Sequence, residues 1–429
     1  MTAHFPIRAY GLNRVPVSAA GLRVELDKVA YFTLCFFVFN LPWGEGIPML
    51  GGMVFIVWIG VAVFGLTALR TLITQRARKP SVLHVWMLLL VFWSVLSLFW
   101  TQDWDMTVTR GGTYVQLMAA VWLIWELART ESRVLGLIQS YVLGSLVGSA
   151  FTIHNFLTGR TAARLAGDEG RNMWETSRYT IEGLNENDLG LILALSIPMA
   201  LYLAASPRRP IVKLLCWTQV LAGFTSILLT ASRGSLIAAI IGSAMLPFIL
   251  SRLPRWQRLA ALSVCALGLF CAAYFVPQSS WIRLAQLGSE ISEGTLTHRT
   301  TIWAAGMEAF RDHAFLGVGS GAYAASVVRA IDRSLVAHNT FLSVLVELGV
   351  IGALVLLGLL ASMLYSALRL PYLERCLWIT VLLTWSIGVS ALTWEYRKPT
   401  WFLFGLLAAH ISALRTRRIR TAYSVRGSR

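Results

Sequence analysis

Residues 339–368 read NTFLSVLVELGVIGALVLLGLLASMLYSAL, thirty positions with a single charge, Glu347. At ~1.5 Å of rise per residue, a helix of that length exceeds the ~30 Å hydrocarbon core of a bilayer. A surface helix of a soluble domain would show a polar face, and this one has none. The stretch therefore sets the class of the whole chain: an all-α integral membrane protein.

Working outward, apolar runs of the same kind recur. Twelve spans are expected, near 27–42, 49–69, 83–100, 113–128, 134–157, 188–205, 211–229, 235–251, 259–276, 339–368, 376–392 and 400–414. The first is short and interrupted by Asn40 and Pro42. Composition agrees, with 56% hydrophobic and only 14% charged residues, where a soluble domain carries ~25% charged. Seventeen Trp, twenty Phe and twelve Tyr exceed what a small soluble core could hide. Cys35, Cys216, Cys265, Cys271 and Cys376 all fall inside apolar runs without paired spacing, so they read as small core residues.

The net charge of +16 would suggest nucleic acid if it lay in one patch. Instead the basic residues form short clusters between apolar runs, which is how membrane orientation is encoded. With the N-terminus inside, 24 of the 37 Lys and Arg fall in the inner segments, whereas Glu25, Asp27, Glu131 and Glu374 are the only acids there. Both termini are thus expected in the cytoplasm, with membrane lipids rather than nucleic acid as surroundings. The expected organisation is a basic cytoplasmic segment (1–28), nine helices (29–276) that include an external loop at 158–187, a large external loop (277–338), three helices (339–414) and a basic cytoplasmic tail (415–429). The first span is read as retained, because no small-residue cleavage site follows it. Within the large loop, 299–312 places Ile302, Trp303, Gly306, Ala309 and Phe310 at helical spacing, which predicts a helix lying across the outer membrane face.

No phosphate-binding GxxxxGK[ST] loop, HExxH or strand-linked GxGxxG occurs, so nothing points to ATP hydrolysis, a metal or a cofactor. Gly317, Gly319 and Gly321 read as a flexible turn. Asp103-Trp104-Asp105 has a spacing that can bind a divalent metal with a sugar diphosphate, but three-residue matches are common and a solvated loop is the simpler reading. His298 and His313 are weaker candidates, and His4, His84, His154 and His410 read as structural.

The informative polar residues gather at the outer boundary. Segment 158–187 carries Arg160, Arg164, Arg171 and Arg178, then Asn185-Glu186-Asn187-Asp188. Arg233 sits in a tight hairpin among Thr230, Ser232 and Ser235. It reads either as a headgroup anchor or as a guanidinium fork for phosphate; its external placement, against the charge bias, favours the fork. His338 immediately precedes an apolar helix whose free N–H groups disfavour imidazolium, so it reads either as an interfacial cap or as a neutral general base. Glu347, about nine residues into its span, is a functional candidate or a buried hydrogen-bonding group. A transporter would concentrate such groups near the midplane, and the spans here hold few charges. The pattern favours an enzyme acting at the outer face on an anionic lipid-linked substrate that arrives already activated.

These residues resemble a known family. Thr230-Ala231-Ser232-Arg233-Gly234, Arg299 followed by Trp303, Gly317–Gly321, and His338-Asn339-Thr340-Phe341-Leu342 with Glu347, Gly349 and Gly352 are similar to the O-antigen ligase and O-antigen polymerase superfamily. The resemblance covers about residues 80–400 and is best over 299–352; Arg164-Leu165-Ala166-Gly167 with Asn185-Glu186-Asn187 also resembles the family pattern, with Glu186 where Pro is common. It implies a metal-independent GT-C-like glycosyltransferase in the bacterial inner membrane, using a polysaccharide carried on undecaprenyl diphosphate at the periplasmic face. The ligase branch delivers it to lipid A–core, and the polymerase branch to another lipid-linked chain. Ligase is the first expectation, polymerase the second, and a flippase or exporter of lipid-linked sugars the third. On this reading His338 is the catalytic base, and Arg164, Arg233, Arg299, Asn187 and Asn339 bind substrate.

Overall fold

The computed structural model describes residues 19–46, 55–74, 77–165, 178–251, 254–285, 299–332 and 334–426. Among the described residues the chain is helical, with no strand. The helices are α1 (Ala19–Asn40), α2 (Phe55–Thr74), α3 (Val82–Leu96, extended by the 3-10 turn Ser97–Phe99), α4 (Trp104–Leu127), α5 (Glu131–Leu157) and the single turn α6 (Ala162–Leu165). Then come α7 (Glu186–Ala205), α8 (Pro210–Thr230), α9 (Arg233–Gly242), α10 (Leu246–Leu250), α11 (Arg255–Phe275) and α12 (Gln278–Ala285). The remainder are α13 (Arg299–Asp312), α14 (Tyr323–Ile331), α15 (Thr340–Leu368), α16 (Tyr372–Val389) and α17 (Lys398–Arg426).

Among the described residues, seven helical runs are long and apolar enough to cross a bilayer: α2, α3 with its turn, α5, α7, α8, α9 continued through α10, and α15. Five more helices, α1, α4, α11, α16 and α17, have 18 residues or more and coincide with the other expected spans, but carry charges such as Arg110 and Glu126 in α4. The chain is a helical membrane protein. Helix α13 occupies the residues that the Ile302–Phe310 spacing predicts, and Ile302, Ala305 and Gly306 form its buried side.

Helix α7 is the central post. It is buried along nearly its whole length and packs against α5, α8, α9 and α16. The neighbours that wrap it present outward side chains such as Phe151, Leu214, Ile240 and Leu383, as lipid-facing helices do. Between α5, α7 and α8 runs a buried polar chain: Gln219 Nε2 donates to Ser196 Oγ at 2.9 Å, and Ser149 Oγ to Gln219 Oε1 at 3.3 Å. In a medium without water such groups must bond one another, and here they fix how the three helices face.

The two ends of the bundle differ. At one, the start of α1, the ends of α2 and α4, the start of α5 and the C-terminal part of α17 meet in ion pairs. Asp27 Oδ1 accepts from Arg70 Nε at 2.9 Å, while its other oxygen pairs with Arg133. Glu126 accepts from Arg70 Nη1 at 3.2 Å and also pairs with Arg129, and Glu131 pairs with Arg417 at 2.7 Å. The described parts of the segments between α5 and α7 and between α11 and α15 lie at the opposite end, which carries the candidate site.

Candidate active site

The site is built around a broken helix. Gly349 has φ 66° and ψ −170°, so α15 is two rods, 340–348 and 350–368. A break within an apolar helix strands carbonyls that lipid cannot satisfy. The glycine run 317–321 supplies the donors: Val318 N bonds Val346 O at 3.0 Å and Gly319 N bonds Glu347 O at 2.9 Å. Trp93 Nε1 takes Leu348 O at 2.9 Å, and Val350 N finds Ala314 O at 2.8 Å. The backbones approach so closely that a Cβ on Gly317 would lie 2.3 Å from Glu347 O, and one on Gly349 2.2 Å from Phe315 O. Ser94 Oγ to Ser320 Oγ at 2.7 Å and Ser320 N to Ser97 Oγ at 3.0 Å pin the run to α3. The flexible turn expected at Gly317–Gly321 is therefore corrected: these residues are a buried plug in the break, held by hydrogen bonds that its positive-φ glycines make reachable.

Glu347 lies at the break. Its Oε2 accepts from Gly321 N at 2.6 Å, and its Oε1 lies 3.3 Å from Ser343 Oγ. The same hydroxyl lies 3.3 Å from Glu395 Oε1, in the loop between α16 and α17. Arg110 of α4 stands opposite, its Nη1 3.6 Å from Glu395 Oε1 and its guanidinium 3.3 Å above the Tyr396 ring. Glu395 Oε2 and Arg110 Nη1 are buried without a hydrogen-bond partner. Burial, followed by the nearby Glu347 charge, pushes Glu395 up to about 7, with Arg110 pulling the other way.

His338 ends the segment that leads into the half-helix. It has φ 48°, a left-handed conformation uncommon for a residue with a side chain. Trp303 Nε1 holds the preceding carbonyl, Ala337 O, at 2.8 Å. The Asn339 side chain caps the half-helix by accepting from Leu342 N at 3.1 Å. Thr340 Oγ1 then donates to Leu392 O and accepts from Trp394 N, both at 2.8 Å, which joins this end to the 390–397 loop. Partial burial first, and the Arg299 charge second, hold the His338 imidazole below its ordinary value. It is therefore neutral near pH 7, the state that can accept a proton.

The remaining residues meet at the start of α7. Asn185 caps that helix by accepting from Asn187 N at 2.9 Å. Arg178 binds Thr230 O through Nε at 2.8 Å and Asn187 Oδ1 through Nη2 at 2.9 Å, with Glu186 Oε2 3.5 Å from its Nη1. Ser235 Oγ donates to Asn187 O at 3.2 Å, and Ala231 turns left-handed so that Arg233 can open α9. Nearby, Asp188 accepts from Trp394 Nε1 at 2.7 Å and from Arg397 Nη2 at 3.1 Å.

The structure thus joins Asn187 to the Arg233 hairpin and His338 to Arg299. Arg164 is exposed on its own loop, donating to Gly159 O at 2.9 Å beside Tyr179. Asn339 is occupied as a cap, and Asp103 also acts as a cap, accepting from Met106 N at 3.1 Å. Arg171 and His298 lie outside the described residues. Arg110, Glu395 and the bridging role of Arg178 are not read from the sequence. Arg110 had a signal: the Asp103 cap starts α4 nine residues before the expected span at 113, which places Arg110 nearly two turns inside the helix.

The loop-bearing end of the bundle thus holds a broken helix, His338 beside Arg299, and the Arg233 hairpin. Residues 219–357 match the family model for O-antigen ligase. The matched segment includes the Arg233 hairpin, α13, the glycine plug and the break at Gly349. No curated protein matches the chain.

Proposed function

We propose that this protein is a glycosyltransferase that moves O-antigen polysaccharide from undecaprenyl diphosphate to lipid A–core, at the periplasmic face of the bacterial inner membrane. The observation that carries this reading is the placement of a neutral His338 beside Arg299, at the entrance to a broken helix within the O-antigen ligase domain. In this topology α1, α4, α11, α16 and α17 cross as well, giving twelve crossings in a GT-C-like bundle with both termini in the cytoplasm. The positive-inside charge distribution supports that orientation.

In the reaction, a hydroxyl of the acceptor sugar gives its proton to His338 as its oxygen attacks the anomeric carbon. The bond from that carbon to the diphosphate oxygen breaks, and undecaprenyl diphosphate leaves. With one base and direct displacement, the configuration at the anomeric carbon inverts. Arg233, Arg299 and Arg164 offset the charge that grows on the leaving diphosphate. Asn187 and Asn339 flank the site through their backbones and caps. The leaving group is already a diphosphate anion, so the arginines can supply the stabilisation that a divalent metal provides elsewhere.

The test uses purified protein with undecaprenyl-diphosphate-linked glycan and lipid A–core, in EDTA and without ATP. Glycan should appear on lipid A–core, and His338→Ala should lower turnover by roughly 10²-fold or more while leaving the elution profile unchanged. Full turnover in His338→Ala removes it as the base. Growth of the glycan on its lipid carrier, with lipid A–core untouched, replaces ligase by polymerase, and neither product would favour an exporter.

A further inference from the structure

Half-helix 340–348 is severed from the rest of α15, so helical continuity does not orient it. Its seating depends on side chains. At its start Thr340 is tied to Leu392 and Trp394, and at its end Glu347 is tied to the glycine plug. Midway, Ser343 faces Glu347 and Glu395 together, each at 3.3 Å. A serine hydroxyl has one proton and can donate to only one carboxyl at a time. Two ionised carboxylates around it, with a single guanidinium, would leave an unbalanced negative charge in a buried place. Binding one proton removes that charge and supplies the missing donor.

Loop 390–397 is the other half of the clamp. Arg110 lies beneath Glu395 and Tyr396, Trp401 Nε1 holds Glu395 O at 2.7 Å, and Trp394 is fixed to Asp188. The loop in turn holds Thr340, two residues from His338. The charged and titratable groups facing Glu395 are Arg110 and Tyr114 from α4 and Glu347 from α15, with Tyr396 beside it in the loop; Arg397 and Asp188 lie beyond Tyr396.

We infer that Arg110, Glu347 and Glu395 are positioning residues for the transfer step, holding one proton between the two carboxyls so that loop 390–397 and half-helix 340–348 close on each other and aim His338. This inference rests on the proposed glycosyl transfer. Loss of the shared proton places like charges on either side of Ser343, loosens the clamp and moves His338 off its target. Glu395 and Glu347 touch no reacting atom in this scheme and act only through His338.

The experiment follows single-turnover transfer by the full-length protein across pH, beside the ¹⁵N signal of the His338 ring. Wild type should rise as His338 becomes neutral and then fall, by roughly fivefold or more, on an alkaline limb set by the shared proton. Glu395→Gln keeps the size and the donor but cannot titrate, so its alkaline limb should flatten to less than about twofold, while Glu395→Ala should be impaired throughout. The His338 signal should show a second inflection in wild type, at the same pH as the limb, and lose it in Glu395→Gln. An alkaline limb unchanged in Glu395→Gln, or a His338 signal blind to that substitution, overturns the inference. If wild type transfers no glycan to lipid A–core, the functional reading fails, and the ring signal still decides whether the carboxyl pair governs His338. If Glu395→Gln does not fold, Ser343→Ala, which removes the bridge and adds no charge, must abolish the second inflection for the inference to stand.

Discussion

The two ends of this bundle hold similar side chains arranged to opposite effect. At the arginine-rich end, both oxygens of Asp27 and both of Glu126 have donors, supplied by Arg70, Arg133, Arg129 and the Arg78 backbone. At the loop-bearing end, Glu395 Oε2, Glu186 Oε1, Arg110 Nη1 and Arg397 Nε are buried with no hydrogen-bond partner. Burying an ionic group costs several kcal/mol, and the cost is recovered only when its bonding capacity is filled. At the first end the Asp27 and Glu126 carboxylates meet that condition and clamp α1, α2, α4 and α5, although Arg208 Nη2 and His84 Nε2 near that end also lack a partner. The second leaves capacity open, and the loops that carry His338, Arg233 and the glycine plug gather there.

The sharpest way to break the comparison is to damage each end in turn. Gly349→Ala should have the largest effect, because its Cβ would fall 2.2 Å from Phe315 O at φ 66°. The half-helix and the plug cannot both keep their places, at a cost of about 3 kcal/mol or more. Little monodisperse protein should be recovered. Gly112→Ala, whose Cβ meets nothing within 4 Å, is the control and should be neutral or stabilising by about 1 kcal/mol. Normal yield of Gly349→Ala would mean that the break is not held by the plug.

Glu126→Ala acts at the other end. It removes a fully buried acceptor shared by Arg70, Arg129 and the Arg78 backbone. Because Arg70 keeps Asp27 and Arg129 keeps the Glu126 carbonyl, the cost should be near the low end of the range for breaking a buried pair, about 3 kcal/mol. Thermal unfolding should shift down markedly, while transfer per folded molecule should hold. A fall in specific activity that matches the fall in stability would erase the division between a structural end and a working end.

How far the sequence foretold this division follows from the range of each signal. The spans, the charge bias and helix α13 are local patterns, written within twenty residues, and they can be read directly. His338 and Arg233 stand out as candidates because a polar residue beside an apolar run is itself a local anomaly. The break at Gly349 was not, since its cause is the plug at 317–321, some thirty residues earlier, whose donors take the freed carbonyls. Glu347 was visible as an intramembrane acid, but its partners Glu395 and Arg110 come from a loop 48 residues later and a helix 237 residues earlier. Pairings over such separations leave no periodicity for one sequence to display.

A smaller change sharpens the comparison at the Arg233 hairpin. Arg233→Lys keeps the charge and loses the planar fork, so transfer should fall by about tenfold to a hundredfold if the residue grips a diphosphate. Stability should fall by less than transfer does, because Arg178, Ser232 and Ser235 also fix the hairpin and Lys keeps the charge. Equal turnover in the Lys variant would assign the residue to headgroup anchoring.

The smallest effect is the dependence of stability on pH. Glu395 ordinarily titrates near 4.5 and in the folded protein is pushed up to about 7, by burial first and by Glu347 second. A carboxyl raised in this way binds its proton more tightly folded than unfolded. Its contribution is complete below about 4.5 and is lost as pH climbs through about 7, so this site should lower the thermal midpoint by a few degrees over that interval. Asp27, at the arginine-rich end, adds no such slope there: burial pushes it up, but Arg133 and Arg70 together hold it below the ordinary carboxylate range. Subtracting the Glu395→Gln curve from wild type isolates the term, because Gln removes the titration and leaves the other ionic groups in place. A difference curve flat between pH 5 and 8 would mean that both carboxyls stay ionised beside Arg110; a decline from about 4.5 that levels off above about 7 would place a single proton at the loop-bearing end.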